Sequence, residues 1–191
     1  MEIIKKEKVN IKELIYSIEK GEVLVLPTDT VYGLVCDITN KKAVDRLFSI
    51  KQRLNNKFIP VFVKDINAAK RIAKIDKEQE RFLKMIWPGK VTVILSRRKG
   101  IKLYGQGKDT IALRIPDNDL INKISRKLNN PLSGTSANIS NNPSVVSVSE
   151  LLKQLKGKNN LPDLIIDGGK LKNRKSSNIF DLTVKPIKIL R

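Results

Sequence analysis

Four short stretches of this chain set hydroxyls, cations and small residues at spacings suited to holding a polar, anionic ligand. The first is Pro27-Thr28-Asp29-Thr30-Val31-Tyr32-Gly33-Leu34, which follows directly on an apolar run at residues 22–26. Proline lacks a backbone donor and ends a strand ladder, and Gly33 lets a second backbone or a ligand come close. The strand thus delivers the hydroxyls of Thr28, Thr30 and Tyr32 to its own end. Asp29, among them, reads as a turn-former rather than a base.

The second stretch carries Lys51, Arg53 and Lys57, at the end of a helix and in the loop after it. Cations in a last helical turn complement the dipole. If the loop bends over the first stretch, the three converge on a triphosphate, arginine through paired hydrogen bonds and lysine as a point charge. The third is Thr110-Ile111-Ala112-Leu113-Arg114-Ile115-Pro116, where strand alternation puts Thr110, Ala112 and Arg114 on one face. Small Ala112 leaves Arg114 room to reach a carboxylate. The fourth, Ser133-Gly134-Thr135-Ser136-Ala137-Asn138-Ile139-Ser140 with Pro143-Ser144 beyond it, exposes backbone N–H groups and side-chain donors to an anion. Its spacing is neither that of a P-loop nor that of a GxGxxG dinucleotide fold. Trp87-Pro88-Gly89-Lys90-Val91-Thr92 reads as architecture: an aromatic wedge, a turn and a new strand.

Composition narrows the chemistry further. The chain has no histidine and one cysteine, Cys36. His-dependent triads, His-ligated zinc, internal disulfides and Cys-based metal clusters are therefore excluded. No acidic cluster announces a protein-built metal site. Lys plus Arg number 38 against 19 Asp plus Glu, a net charge of +19 that favours anionic partners such as nucleotides or RNA. No apolar run approaches the roughly 20 residues that span a bilayer, and residues 1–8 lack the apolar core of a signal peptide. A soluble, cytoplasmic protein with no membrane partner is expected.

The elements that must position these stretches can be read from caps and periodicity. Asn10-Ile11-Lys12-Glu13 has capping-box spacing and opens a helix that stops at Gly21. Thr39 is the expected cap of a helix bearing Val44, Leu47, Phe48 and Ile50, ending among Lys51-Gln52-Arg53. Asp65, Asp76, Asn118 and Ser147 cap further helices. Strands are expected at residues 58–63, 91–95, 110–115, 164–166, 178–183 and 187–190. The basic stretch Arg97-Arg98-Lys99-Gly100 reads as an exposed loop, and residues 157–160 and 168–177 as mobile ones. Helices and strands alternate, but some strands follow too closely for crossover helices, so the fold class is α/β with a twisted, mixed parallel and antiparallel sheet flanked by helices. Residues 1–191 fit one domain.

Taken in order, PTDTVYGL, KQR followed by Lys57, WPGKVT, IALRIPD, SGTSANIS with Pro143-Ser144, the DGG at Asp167-Gly168-Gly169, and a terminal Ile189-Leu190-Arg191 resemble the YrdC/Sua5 family of threonylcarbamoyl-AMP synthases. The likeness is to the short, single-domain form, without the C-terminal domain of the Sua5 type. It implies a large basic concave cleft in which L-threonine, bicarbonate or CO2, and ATP are joined into threonylcarbamoyl-AMP and pyrophosphate for tRNA t6A modification. It further implies that Thr30, Arg114 and Ser177 hold threonine, and that Arg53, Lys57, Thr110, Ser136, Asn138 and Arg191 hold ATP. Lys51, Thr28, Tyr32 and Ser144 are secondary candidates. Lys51, Arg53 and Lys57 are the electrostatic candidates for catalysis, since nucleotidyl transfer depends chiefly on alignment and charge stabilisation.

No permanently bound cofactor is implied; ATP is a substrate, and Mg2+ accompanying its phosphates is compatible with the chemistry. Proteins that transfer the threonylcarbamoyl group onward are the implied partners. Two departures stand out: Phe62 occupies a position where many longer members have histidine, and Asn178 one where threonine is common. Two other readings stay open at this point. One is an RNA-binding or ribosome-assembly module without catalysis, motivated by the charge, although 5% aromatic residues leave little for base stacking. The other is a related carbamoyl-adenylate chemistry, as in hydrogenase-maturation proteins.

Overall fold

The computed structural model describes residues 1–53, 58–172 and 175–191. Lys57, an expected ATP ligand, lies outside the described residues. Six α-helices among the described residues begin where a polar side chain offers an acceptor to a free N–H of the first turn. Asn10 caps α1 (Ile11–Glu19), Asp65 caps α3 (Ile66–Ile72), Asp76 closes a full capping box with Gln79 on α4 (Lys77–Ile86), Asn118 caps α5 (Asp119–Lys127) and Ser147 caps α6 (Val148–Leu155). At α2 (Lys41–Lys51) the expected cap is corrected by one residue. Asn40 accepts from the Ala43 amide, while Thr39 is drawn back onto Asp37, whose Oδ1 accepts from both its amide and its hydroxyl at 2.7 Å.

The single mixed sheet expected from the sequence is two mixed sheets. In the first, β1 (Glu2–Lys5), β9 (Leu164–Asp167), β2 (Leu24–Pro27), β3 (Tyr32–Val35) and β8 (Thr135–Ser136) lie in that order. The second runs β11 (Lys188–Ile189), β10 (Asn178–Asp181), β5 (Val91–Ser96), β6 (Thr110–Arg114), β4 (Val61–Phe62) and β7 (Leu132–Ser133). The stretch at residues 58–63 is strand only over Val61–Phe62, and the loop expected after Pro27 is the second arm of a hairpin, with Pro27 opposite Tyr32. Residues 98–100 are exposed as expected, whereas Arg97 is half-buried. The Arg97 guanidinium donates to the carbonyls of Gly107, Ile101 and Leu103 and so ties down the β5–β6 connection.

Alternation gives the second sheet two unlike faces. Val93 and Leu95 of β5 and Ile111 and Leu113 of β6 are fully buried in the main core, together with Leu47, Ile59 and Leu83. Thr92, Ile94, Thr110, Ala112 and Arg114 point the other way. A second apolar cluster, with Leu14, Ile18, Leu120, Ile121 and Ile124, packs α1 and α5 onto the outer side of the first sheet. Among the described residues no helix is long and apolar enough to cross a membrane.

The chain steps from one sheet to the other at a single residue. Ser133 pairs with Val61 in the second sheet, Thr135 with Leu34 in the first, and Gly134 lies between them. A Cβ on Gly134 would fall 2.5 to 2.7 Å from three atoms of the Phe62 ring. Gly134→Ala should therefore lower stability by about 1–3 kcal/mol, the usual cost of over-packing. Urea denaturation measures it, and a loss below about 0.5 kcal/mol would mean the Phe62 ring moves aside freely.

Candidate active site

The polar face of the second sheet floors a cavity of about 420 Å³. Its floor is Thr92 and Ile94 from β5, Thr110, Ala112 and Arg114 from β6, and Ile179 from β10. Register explains the grouping, since Ile94 lies opposite Ala112, Ser96 opposite Thr110, and Ile179 beside Thr92. One wall is the β2–β3 turn, with Thr30 and Val31; another is the sheet-to-sheet crossing, with Gly134, Thr135 and Ser136. Arg53, Phe58, Pro60, Ser176, Ser177 and Arg191 complete it, and none of the described lining residues is Asp or Glu.

Three arginines face this space, and each is held differently. Arg114 donates through Nε to the Gly89 carbonyl at 2.9 Å and through Nη1 to Thr30 Oγ1 at 3.3 Å. Its Nη2 lies 2.7 Å from both oxygens of Asp29. The side chains are 5% and 6% exposed, so this is a buried ion pair rather than the local turn expected of Asp29. Burial pulls the Arg114 pKa down and Asp29 pulls it back up, leaving the guanidinium charged with its Nη1 edge toward the cavity. Arg191 donates from Nε to the Ser177 carbonyl at 3.1 Å and lies close enough to Arg114 for the two charges to repel.

Arg53 donates from Nη2 to the Phe58 carbonyl at 2.7 Å, while Nη1 is 3.5 Å from Thr135 Oγ1. Its Nε is buried without a hydrogen-bond partner among the described residues. A buried, unpaired guanidinium nitrogen is costly unless something accepts from it. An anion in the cavity would offset the repulsion between Arg114 and Arg191.

Of the residues expected at the site, the structure brings Thr30, Arg53, Thr110, Arg114, Ser136, Ser177 and Arg191 onto one cavity surface. Lys51, Thr28, Tyr32, Asn138 and Ser144 stand behind it. Lys51 is buried, and its Nζ donates to the carbonyls of Ser136 and Asn138 and to Asn138 Oδ1. It therefore holds the Ser136-Ala137-Asn138 loop instead of projecting into the cavity, and burial, with Arg53 nearby, drops its pKa to about 7. Asn138 spends its amide on the carbonyls of Ile139 and Asn142 and accepts from Ser136 Oγ. Tyr32, fully buried with its pKa raised by desolvation to about 12, donates to the Gly169 carbonyl and accepts from the Gly168 amide, fastening the DGG turn. Thr28 bonds the Val31 carbonyl, and Ser144 Oγ lies 3.3 Å from Ser176 Oγ.

A model of the Sua5/YciO/YrdC family, described as "Telomere recombination", matches residues 16–191. The chain belongs to the Sua5/YciO/YrdC family. A putative threonylcarbamoyl-AMP synthase of Methanocaldococcus jannaschii is 34% identical over 182 residues, covering 95% of this chain and 80% of that protein. The crystal structure of Pyrococcus abyssi Sua5 complexed with L-threonine superposes with a TM-score of 0.87 at 30% identity, covering 100% of this chain and 56% of that one. Escherichia coli YciO superposes at 0.84 with 27% identity, covering 100% and 93%. The chain thus spans a little over half of the Pyrococcus protein and nearly all of YciO.

In this Sua5/YciO/YrdC chain, the sequence missed Asp29 as an arginine partner, and Val31, Phe58, Thr92, Ser176 and Ile179 as lining residues. Thr92 carried a signal, because the alternation that exposes Thr110 and Arg114 applies equally to Val91–Ser96. Its hydroxyl lies 2.8 Å from Ser177 Oγ and fixes that serine at the wall. Asp29 carried none, since its partner is 85 positions away.

Proposed function

We propose that this protein is a threonylcarbamoyl-AMP synthase, with residues 1–191 acting as one unit on L-threonine, bicarbonate or CO2, and ATP in tRNA t6A synthesis. The observation that carries the reading is the convergence of Arg53, Arg114 and Arg191 with a ring of hydroxyls on one cavity whose described lining has no acidic side chain. In this reading Arg114 Nη1, Thr30 and Ser177 hold threonine. Arg53, Thr110, Ser136 and Arg191 hold ATP, and Lys57 is assigned to the same phosphates. Lys51 and Asn138 act from behind by fixing the loop that carries Ser136.

The threonine nitrogen would add to the carbon of CO2 and lose a proton, giving a carbamate. A carbamate oxygen would then attack the α-phosphorus as its bond to the pyrophosphate oxygen breaks, so the reaction is a nucleotidyl transfer. Negative charge gathers on the phosphate oxygens in that step, where fixed guanidinium donors stabilise it without a general base. Mg2+ would arrive with ATP. The product passes to a protein that transfers the threonylcarbamoyl group to tRNA.

The test is incubation with ATP, bicarbonate and each amino acid in turn, following pyrophosphate and the adenylate by mass spectrometry. Threonine alone should yield both. ATP use that ignores threonine, or tight RNA binding by a folded protein without turnover, would refute the assignment. Arg53→Ala should raise KM for ATP about 10- to 100-fold, as loss of charge-assisted hydrogen bonds predicts, and leave KM for threonine within about twofold. Steady-state kinetics with each substrate varied would expose equal losses, which contradict the division of roles.

A further inference from the structure

Phe58 is the one aromatic residue among the described lining residues of the cavity, and it is 52% exposed. Leaving half of a phenylalanine in contact with water forgoes a substantial part of its burial free energy, so the position calls for an explanation. The ring is supported from one side. A Cβ on Gly107 would lie 3.1 Å from Phe58 Cζ and 3.2 Å from the Thr110 carbonyl oxygen, so the bare glycine lets the ring settle against the backbone beside Thr110. It is also tied to the site's charge, because Phe58 O accepts the 2.7 Å hydrogen bond from Arg53 Nη2. The arginine with the orphaned buried Nε and the half-exposed ring therefore form one unit on the same stretch of wall, with Pro60 beside them.

We propose that Phe58 is the platform on which the base of the nucleotide stacks, with the phosphates running from it toward Arg53. The proposal rests on the reading of this cavity as a nucleotide site. A heteroaromatic base is a flat, weakly polar body that gains by covering an aromatic ring, whereas phosphates need the N–H donors next to it. Arg53 and Phe58 together offer both in adjacent positions. The threonine end has no such ring, as Thr30, Arg114 and Ser177 are joined there by Val31 and Thr92.

Calorimetric titration of the protein with ATP and, separately, with inorganic tripolyphosphate tests this without turnover. Phe58→Ala should weaken ATP binding about 10- to 100-fold, the range for losing one base–aromatic stack, and leave tripolyphosphate affinity within about twofold. Phe58→Trp should retain ATP affinity, and Phe58→Leu, apolar but without a π face, should lose it as alanine does. Equal losses for ATP and tripolyphosphate would overturn the proposal by showing that the ring merely holds Arg53. Unchanged ATP affinity in Phe58→Ala, or full retention in Phe58→Leu, would overturn it as well. Wild-type protein that binds ATP but makes no threonylcarbamoyl-AMP refutes the synthase reading alone; wild-type turnover with normal ATP binding by Phe58→Ala refutes the stacking alone.

Discussion

Asp29→Ala should destabilise the fold by about 3–5 kcal/mol, the penalty for leaving a buried charge without its partner. The side chains of Arg114 and Asp29 are almost wholly out of solvent, and both carboxylate oxygens sit at 2.7 Å from one guanidinium nitrogen. Removing the carboxylate strands that nitrogen and leaves the Asp117 amide, which donates to Asp29 at 3.2 Å, without its acceptor. The reverse argument gives a control. Replacing both partners with apolar residues of similar size, as in Asp29→Leu with Arg114→Met, should recover most of the loss, because desolvation of the pair offsets much of its attraction. Urea midpoints with unchanged m-values would report stability alone. A single-variant loss below about 1 kcal/mol would show that Arg114 finds another partner or reaches water. The double variant should fold and yet use threonine poorly, separating the pair's structural role from Arg114's contact with substrate.

Lys51→Met should be about as damaging, by a different route. Methionine nearly matches the length of lysine, but it leaves the carbonyls of Ser136 and Asn138 and the Asn138 side-chain oxygen without their shared donor. At about 1–3 kcal/mol for each buried group left unsatisfied, even partial relaxation predicts a loss of about 3 kcal/mol or more. Ser136 lies on the cavity wall, so kcat/KM should fall more than about tenfold as the loop shifts. A pH series adds a signature that a packing defect would not give. Folded Lys51 titrates near 7 while the unfolded side chain titrates at the ordinary 10.5. Between those values the unfolded chain holds more protons, so this group makes stability rise with pH and withdraws that contribution as pH falls toward 7. The chain has no histidine, and the opposing contribution of Cys36, whose buried thiol is pushed up to about 12 from an ordinary 9.0, is common to wild type and variant and cancels in the comparison. Wild-type Tm should therefore rise relative to the Lys51→Met Tm over that interval; parallel curves would rule out a buried, titrating lysine.

Helices were the most legible part of the molecule. Their signals are local: a cap such as Asp76 or Asn118 and an apolar face within three turns. Even the error at α2 is local, because Thr39 and Asn40 are both competent caps and only Asp37 decides between them. The two-sheet arrangement was not legible. Strands of two residues such as β4, β7 and β8 are too short to show a period, and their pairing is fixed by partners tens of residues away. The same division runs through the site. The family resemblance marked out seven residues that share the cavity, and alternation correctly placed Thr110, Ala112 and Arg114 on one face. Type could not say that Lys51 reaches inward to carbonyls while Arg53, two positions on, reaches the cavity. Nor could it pair Asp29 with Arg114 across the whole of the intervening chain.

The two faces of β5 and β6 make this protein a good starting point for altering selectivity. Combinatorial libraries confined to Thr92, Ile94, Thr110 and Ala112 would sample new ligand shapes, while Val93, Leu95, Ile111 and Leu113, untouched on the opposite side, go on supplying the robustness that such searches usually consume.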